Sequence, residues 1–323
     1  MKILITGAAG FIGSHLTELL VKKDFIVRAF VRYNSKNNWG WLENSEVKND
    51  IEIITGDIRD YDSVFNAMKG CTAVFHLAAL ISIPYSYVSP LAYIKTNVEG
   101  TYNILQAARE LNLEQVLITS TSETYGTAQY VPIDEKHPLV GQSPYSASKI
   151  AADQLAISYY RSFELPVKIV RPFNTYGPRQ SARAIIPTII TQILSGKIKI
   201  KLGNLHPTRD LTFVKDTCKG FLEIYKSEKL FGEITNIGMN EETTIGDLVK
   251  KIAKLLKTHI EIEIEEQRVR PKNSEVDRLY CDNTKLINNT FWKPDYNLEK
   301  GLIETINWIK HNLSYFKHNL YNI

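Results

Sequence analysis

Short apolar segments alternate with amphipathic ones through the first half of the chain, and this alternation predicts a parallel sheet covered by helices. Because the helical segments separate the apolar ones, the pattern is typical of a Rossmann-type, doubly wound α/β domain, which we assign to residues 1–172. We predict strands at 2–6, 25–32, 51–55, 73–77, 115–119 and 167–171, and helices at 14–23, 60–69, 97–111 and 145–162.

The second half of the chain has a mixed order, which predicts a smaller α/β substrate-binding domain over 173–323. A segment near 211–238 is expected to return to the first sheet through its strand. Asp216 is predicted to be the N-cap of one helix and Asp282 that of a final short helix, before a loosely held tail after Leu313. The predicted elements are helices at 183–195, 217–227 and 244–256 and strands at 197–202 and 234–238.

Composition limits the classes of function that the chain can have. The 323 residues are 44% hydrophobic and 23% charged, and the net charge of +4 is spread along the chain, which argues against nucleic-acid and membrane partners. The longest apolar runs are too short to cross a bilayer, and the N-terminus begins directly with a strand pattern, without a signal peptide. Three isolated cysteines without metal-ligand spacing favour a cytoplasmic protein with no metal site.

Three glycines follow the first predicted strand, at Gly7, Gly10 and Gly13, with Phe11 and Ile12 between the last two. A strand, a glycine-rich turn and a helix form the setting of a dinucleotide-binding motif, although the spacing here is G-x-x-G-x-x-G. Glycines let the backbone approach a pyrophosphate, which then lies at the helix N-terminus. We therefore predict that these five residues bind a nicotinamide dinucleotide.

The end of the second predicted strand carries no acid to bind a ribose 2′-hydroxyl. Arg32 and Ser35 stand there instead, and an arginine suits a 2′-phosphate, so the sequence favours NADP with NAD as the alternative. His76, inside an apolar strand, is interpreted as a core histidine. The remaining residues predicted to line the cofactor site are Asp57, Ile58, Leu77, Ala78, Ala79 and Asn97.

Tyr145 and Lys149 are four residues apart, a spacing that places both side chains on one face of a helix. A lysine ammonium near a phenol favours the phenolate, so we expect a lowered pKa for Tyr145 and a role in removing a proton from a sugar hydroxyl. Thr121, Ser122 and Glu123 follow the strand at 115–119, and ligands of an open parallel sheet bind at that end of the strands. These five residues are the predicted catalytic set.

Together these motifs resemble the extended short-chain dehydrogenase/reductase family, and within it the nucleotide-sugar 4,6-dehydratases. The resemblance extends over essentially the whole chain. The sequence is most similar to the branch in legionaminic acid biosynthesis that acts on GDP-N-acetylglucosamine. Besides the residues above, it rests on Arg171-Pro-Phe-Asn174, Arg209-Asp210 and Arg270-Pro271 with Glu275.

The resemblance implies a hydro-lyase with a tightly bound cofactor that is regenerated in each turnover. Tyr145, with Lys149, would deprotonate the sugar C4 hydroxyl while Thr121 hydrogen-bonds the same oxygen. Glu123 would remove the C5 proton, water would leave from C6, and the hydride would return to C6; the acid that protonates the leaving hydroxyl is Glu123 or another group, because Ser122 cannot supply that proton. Substrate-binding residues implied in the same way are Asn174, Arg179, Arg209, Arg270 and Glu275.

Three other functions remain open at this stage. A nucleotide-sugar 4-epimerase shares the Tyr/Lys pair but commonly has a small residue at the position of Glu123, whereas a UDP-glucuronate decarboxylase also carries Thr-Ser-Glu. A non-catalytic NADP-binding protein would not need the intact catalytic set. The resemblance further implies a homodimer or homotetramer that pairs through the helices at 97–111 and 145–162, with Ile104, Leu105, Leu155 and Ile157 available for both core and interface.

Overall fold

A seven-stranded parallel sheet forms the centre of the molecule, in a computed structural model that describes residues 1–317 and 320–321. Its strands are β1 (Lys2–Thr6), β2 (Ile26–Arg32), β3 (Ile51–Gly56), β4 (Ala73–His76), β5 (Gln115–Thr119), β6 (Val167–Pro172) and β11 (Ile234–Ile237). The strand order is β11-β6-β5-β4-β1-β2-β3. The predicted Rossmann-type doubly wound sheet is thereby confirmed.

Helices cover both faces of this sheet because successive residues of each strand point to opposite sides. In β1, Ile3 and Ile5 join one apolar cluster, whereas Leu4 joins the other. The first cluster includes side chains of α1 (Phe11–Val21) and α8 (Val214–Lys226). The second includes side chains of α2 (Tyr61–Met68), α5 (Gly100–Glu110) and α6 (Pro144–Phe163).

The other elements lie between and after these strands. Three two-stranded sheets pair β7 with β10, β9 with β12 and β8 with β13. The strands are β7 (Asn174–Tyr176), β8 (Lys199–Leu202), β9 (Thr208–Arg209), β10 (Leu211–Phe213), β12 (Thr243–Thr244) and β13 (Glu261–Ile264). The helices are α3 (Ile83–Val88), α4 (Pro90–Tyr93), α7 (Ile185–Leu194), α9 (Ile245–Leu255), α10 (Thr284–Asn289) and α11 (Leu298–His311). A π-helical segment lies at Ile94–Glu99. Short 3₁₀ turns lie at Gly40–Leu42, Lys48–Asp50, Ser122–Tyr125, Glu266–Arg268, Lys272–Ser274 and Leu313–Tyr315.

The strand predicted to return to the first sheet is observed as β11, which pairs in parallel with β6 at the edge of the main sheet. The prediction for Asp216 was wrong. The helix begins at Val214, so Asp216 lies in its first turn, where its carboxylate accepts hydrogen bonds from the backbone N–H groups of Asp295 and Tyr296 at 2.8 and 3.1 Å. Asp216 therefore fixes a distant loop instead of capping its own helix.

The predicted C-terminal end also needs correction. Asn283 is the N-cap of α10, and Asp282, one residue earlier, accepts the N–H of Thr284 at 2.8 Å. This helix is not the last, because α11 follows it and buries Leu302 and Ile306. The predicted loose tail lies partly outside the described residues, which omit 318–319 and 322–323.

Among the described residues, no helix is long and apolar enough to cross a membrane. The same part of the chain contains no group of three or more histidine, cysteine or acidic side chains arranged to hold a metal ion. All three cysteines are buried as free thiols.

Candidate active site

The glycine turn lies at the switch point of the sheet, between β1 and β4. Gly7 has a φ of +71°, and a Cβ there would lie 2.8 Å from the backbone nitrogen of Ala78. A Cβ on Gly13 would lie 2.2 Å from the Gly7 carbonyl oxygen. Only glycine therefore fits either position, and the turn brings the N-terminus of α1 to the carboxyl edge of the sheet.

This N-terminus fits the phosphates of a dinucleotide. Gly10 is the N-cap of α1, no side chain caps the helix, and its first turn carries no acid. The first backbone N–H groups, including those of Phe11 and Ile12, therefore have no intrahelical acceptor and suit an anion. Its donor set and the open cradle fit the pyrophosphate of a nicotinamide cofactor.

The end of β2 presents an exposed cationic side chain beside an acid. Arg32 and Ser35 are exposed, and Arg32 forms no ion pair within the described residues. Asp57 is already engaged by Arg59, whose guanidinium donates to both carboxylate oxygens at 2.5–3.1 Å. The Arg59 hydrogen bond is the main cause of the lowered pKa of Asp57, and the charge of Arg32 acts in the same direction.

Ile58 and Asn97, both predicted to line the cofactor site, are buried. Ile58 is buried and packs closely against Gly100, where a Cβ would lie 2.7 Å from its side chain. Asn97 lies in the π-helical segment, and its carboxamide bonds both backbone groups of Leu80 at 2.9 and 3.0 Å and the Ser148 hydroxyl at 2.9 Å. Asn97 thus ties the loop after β4 to α6. Leu77, Ala78 and Ala79 are the first residues of that loop and immediately precede Leu80.

His76 is a satisfied core residue. Its ring nitrogens lie 2.8 Å from the Thr6 hydroxyl and 3.3 Å from the Thr101 hydroxyl. Burial, with a smaller contribution from the charge of Lys149, lowers its pKa to about 3, so the ring is neutral at physiological pH.

Thr121, Ser122 and Glu123 begin a largely buried turn that is separated from β5 by Ser120 alone. Thr121 caps this turn, its hydroxyl accepting the N–H of Glu123 at 3.3 Å. The Tyr145 phenol hydrogen-bonds the Thr121 side chain, and its pKa also responds to the charge of Glu123. Ser122 and Glu123 are 2% and 9% exposed, so both are shielded from solvent. We call Thr121, Glu123 and Tyr145 together the Glu123 pocket.

Tyr145 and Lys149 lie on one face of α6, but the expected lowering of the Tyr145 pKa is wrong for the protein groups alone. Burial raises the pKa of Tyr145 well above its ordinary value, and the Thr121 hydrogen bond opposes this only in part. The Lys149 ammonium donates to the Thr119 carbonyl at 2.6 Å. Lys149 is therefore hydrogen-bonded to the end of β5, whereas the Tyr145 phenol is bonded to Thr121.

The predicted substrate-binding residues Arg209, Arg270 and Glu275 lie together. The Glu275 carboxylate is 3.7 Å from the Arg209 guanidinium and 3.5 Å from that of Arg270. Burial lowers the pKa of Arg209, while the charge of Glu123 acts in the opposite direction. The cluster thus links the Glu123 pocket to a region with two cations and suits an anionic ligand beside it.

Asn174 and Arg179 differ in their surroundings. Asn174 pairs with Leu211 across β7 and β10, two residues beyond Arg209, and its side-chain oxygen has no hydrogen-bond partner in the described part of the chain. Arg179 instead pairs with Glu18 of α1 at 2.8 Å. Arg179 is therefore held against α1, and it does not join the arginine cluster.

Two side chains that the sequence reasoning did not single out also contact this site. Tyr93 packs edge-on against Tyr145 with ring centroids 6.1 Å apart. Asp153 lies one turn beyond Lys149 and bonds the Ser120 hydroxyl at 2.5 Å. The four-residue spacing from Lys149 to Asp153 was a signal that could have identified the second of these.

A model of the GDP-mannose 4,6-dehydratase family matches residues 4–305, which is nearly the whole chain. The chain belongs to the GDP-mannose 4,6-dehydratase family. This assignment confirms the resemblance to the nucleotide-sugar branch of the extended short-chain dehydrogenases/reductases, and with it the expectation of an enzyme.

Relatives of this GDP-mannose 4,6-dehydratase family member carry different activities in their names. A putative UDP-glucose 4-epimerase of Methanocaldococcus jannaschii is 32% identical, with 96% of this chain and 99% of the relative covered. A UDP-N-acetyl-alpha-D-glucosaminuronate decarboxylase of Bacillus cytotoxicus is 34% identical, with 96% and 98% covered. The crystal structure of a dTDP-glucose 4,6-dehydratase from Streptomyces venezuelae with NAD bound has a TM-score of 0.89 at 28% identity, with 98% and 99% covered.

Proposed function

We propose that the chain is a nucleotide-sugar 4,6-dehydratase that converts GDP-N-acetylglucosamine to its 4-keto-6-deoxy product. The observation that carries this proposal is Glu123, a buried carboxylate in the same pocket as Tyr145 and Thr121. A base at this position suits removal of the C5 proton once C4 is oxidised. A 4-epimerase needs no base for a C5 proton, and nucleotide-sugar 4-epimerases commonly have a small residue at the position of Glu123.

The residues of the pocket divide the proposed reaction between them. Tyr145 takes the proton of the C4 hydroxyl, and Thr121, which bonds the phenol, holds the same oxygen. Glu123 takes the C5 proton, and the C6 hydroxyl leaves as water once it is protonated. A bound oxidised nicotinamide would accept the hydride from C4 and return it to C6, and its positive charge would favour the Tyr145 phenolate. The hydrogen bond that Lys149 donates to the Thr119 carbonyl holds α6 against the end of β5.

The nucleotide is assigned to the arginine cluster. Arg209 and Arg270 would face the diphosphate, and Glu275 would keep both guanidinium groups oriented. The Asn174 carboxamide oxygen, which has no partner among the described residues, would accept from a ribose hydroxyl. Arginine's forked donors match phosphate oxygens. The role of Arg179 in this proposal is indirect, because its pair with Glu18 joins the loop after β7 to α1.

A decarboxylase is the second candidate, favoured by the same Thr-Ser-Glu turn and by the Bacillus cytotoxicus relative. A panel of GDP-, UDP- and dTDP-sugars, including UDP-glucuronate and N-acetylhexosamine nucleotides, separates the candidates by product mass. We expect loss of water from GDP-N-acetylglucosamine. Loss of carbon dioxide from UDP-glucuronate, with no turnover of any hexose nucleotide, would make the decarboxylase the function.

We further propose that NADP binds more tightly than NAD, because Arg32 is an exposed cation without an ion-pair partner in the described chain. Arg32→Ala should narrow the difference between the two affinities by about 1–3 kcal/mol, the value of a charge-assisted hydrogen bond. Titration of each variant with both cofactors measures this difference.

Lys23→Ala provides the control for the cofactor prediction, since Lys23 is an exposed cation just beyond the end of α1. It removes the same charge and should leave the ratio of the two affinities unchanged. Equal affinity of the unmodified protein for NADP and NAD would contradict the preference.

We also propose a homodimer that pairs through α5 and α6. Ile104 and Leu105 are completely buried in the monomer and cannot reach a partner, whereas Leu155 and Ile157 are only partly buried. Tyr102, Tyr160 and Phe163 are 37–45% exposed on these helices and are further side chains available for pairing.

Light scattering at micromolar concentration should therefore give a mass of about 74 kDa, twice the 36.8 kDa of one chain, or a multiple of it. Tyr102→Arg should shift this mass toward the monomer, because a charge would be buried in the interface. Ile264→Arg, at an exposed apolar position on β13, should not change it. A monomer under these conditions would rule out the pairing.

A further inference from the structure

Three ionisable side chains are buried together beneath the end of β5. Lys149, Asp153 and Arg171 are 4%, 0% and 0% exposed. Charged groups are rarely buried unless they are paired, because each loses its hydration. All three are almost completely shielded from solvent, so burying them costs stability, and we expect a structural or functional role to offset that cost.

Asp153 and Arg171 form a closed ring of hydrogen bonds with Ser120. One oxygen of the Asp153 carboxylate accepts from the Ser120 hydroxyl at 2.5 Å and from the Arg171 guanidinium at 2.8 Å. The Arg171 Nε donates to the same hydroxyl at 3.2 Å. The ring therefore fixes Ser120 to both α6 and β6.

The neighbours of Ser120 are each held by a different partner. The carbonyl of Thr119 accepts from Lys149, and the Thr121 side chain bonds Tyr145. At the end of the turn, the Tyr125 ring lies 4.5 Å from the guanidinium carbon of Arg171. Glu123 thus lies between two anchored residues, Ser120 before it and Tyr125 after it, and Arg171 contacts both.

The charges of the cluster are unequal, with two cations and one anion. Burial lowers the pKa of Lys149, the charge of Asp153 acts in the opposite direction, and that of Arg171 adds to the lowering. From β4, His76 is neutral and contributes no charge. Asp153 is therefore the anion that balances Lys149 among the groups that act on it, while Glu123 acts on Tyr145 and Arg209.

We propose that Asp153 and Arg171 are positioning residues of the active site. With Ser120 they hold the turn that carries Thr121 and Glu123 against α6, and Asp153 places a buried negative charge one helical turn from Lys149. The identity of the reacting groups rests on the proposed function, whereas the charge balance does not.

The charge balance is tested without substrate. In protein labelled with ¹³C at the lysine ε carbons, NMR follows the titration of Lys149, whose signal is assigned by its absence from Lys149→Met. Asp153→Asn should lower the pH of its titration midpoint by at least about one unit, since a buried opposite charge one helical turn away is removed. An unchanged midpoint overturns the proposal, even if the protein turns over no nucleotide sugar.

The positioning role is tested with Ser120→Ala, which keeps all three ionisable groups and is also the fallback should Asp153→Asn fail to fold. The Lys149 midpoint should stay in place while kcat falls about tenfold or more and KM changes little, since a misplaced base slows the reaction without weakening binding. Wild-type kcat in Ser120→Ala would refute the positioning role. A wild-type protein inactive on every nucleotide sugar would instead refute the proposed function.

Asp216→Asn is the matched control for a purely structural loss. Asp216 is also buried, at 1% exposure, and accepts two backbone hydrogen bonds outside the site. This variant should lower the Tm and leave both the Lys149 titration and kcat of the folded protein unchanged. The same pattern in Asp153→Asn would show that Asp153 is structural only.

Discussion

Glu123→Gln is expected to lower kcat by roughly 10²–10⁴-fold while KM for the nucleotide sugar changes little. Glutamine has the size of glutamate and fills the same buried position, 9% exposed, but its amide cannot accept the C5 proton. Oxidation at C4 precedes that step and does not need Glu123. Single-turnover absorbance should therefore show reduced cofactor accumulating in the variant, together with the fall in steady-state kcat.

Glu135→Gln is the control for this loss. Glu135 is a partly buried acid outside the pocket that accepts the backbone N–H of Asn236 at 2.8 Å. Its replacement should affect the free energy of unfolding without slowing turnover by the folded protein. A fully active Glu123→Gln enzyme would remove Glu123 from the reaction and leave the dehydratase proposal without its base.

Tyr145→Phe should cause a loss of similar size in kcat, roughly 10²–10⁴-fold, for a different reason. The phenol is 7% exposed and bonded to Thr121, and its removal leaves the C4 hydroxyl without a proton acceptor. The hydride step is then blocked, so reduced cofactor should not accumulate. The two variants are therefore equally slow but opposite in the absorbance of the bound cofactor.

Tyr159→Phe matches this change on the same helix. The Tyr159 hydroxyl bonds the Gln106 side chain at 3.0 Å, outside the pocket, so its removal should leave kcat within a factor of about two. Accumulation of reduced cofactor in Tyr145→Phe would mean that another group accepts the C4 proton.

The strands that build the sheet were predictable because the determinants of a strand are local. The strands at 2–6 and 115–119 are observed with the predicted bounds, since apolar runs end directly at glycine or polar residues. Gly7 and Gly13 were identifiable for the same reason, as only glycine fits a turn of this kind. By contrast, α11 was missed, although Leu302, Ile306 and Ile309 follow a helical spacing.

The hydrogen-bond partners of charged side chains were not predictable from such local patterns. Arg179 stands in a loop that suggested substrate binding, yet it pairs with Glu18, 161 residues earlier in the chain. Asp216 read as a helix cap because an acid commonly begins a helix, but its acceptors serve the loop at 295–296. Such pairs depend on how distant elements pack, which a local pattern does not record.

The Tyr145 pKa shows the same limit for chemistry. The spacing of Tyr145 and Lys149 correctly places both on one face of α6, but spacing gives no measure of burial. Burial dominates in the folded protein and raises the pKa, and Lys149 bonds the Thr119 carbonyl. The positions of the groups followed from the sequence, and their electrostatics required the fold.

One measurement tests the dehydratase proposal most directly: mass spectrometry and NMR of the product that the wild-type protein forms from GDP-N-acetylglucosamine in D₂O. The proposal predicts a product that has lost one water, carries deuterium at C5, and forms without accumulation of reduced cofactor, because the hydride returns to C6. A product of unchanged composition with C4 inverted would contradict it and identify an epimerase.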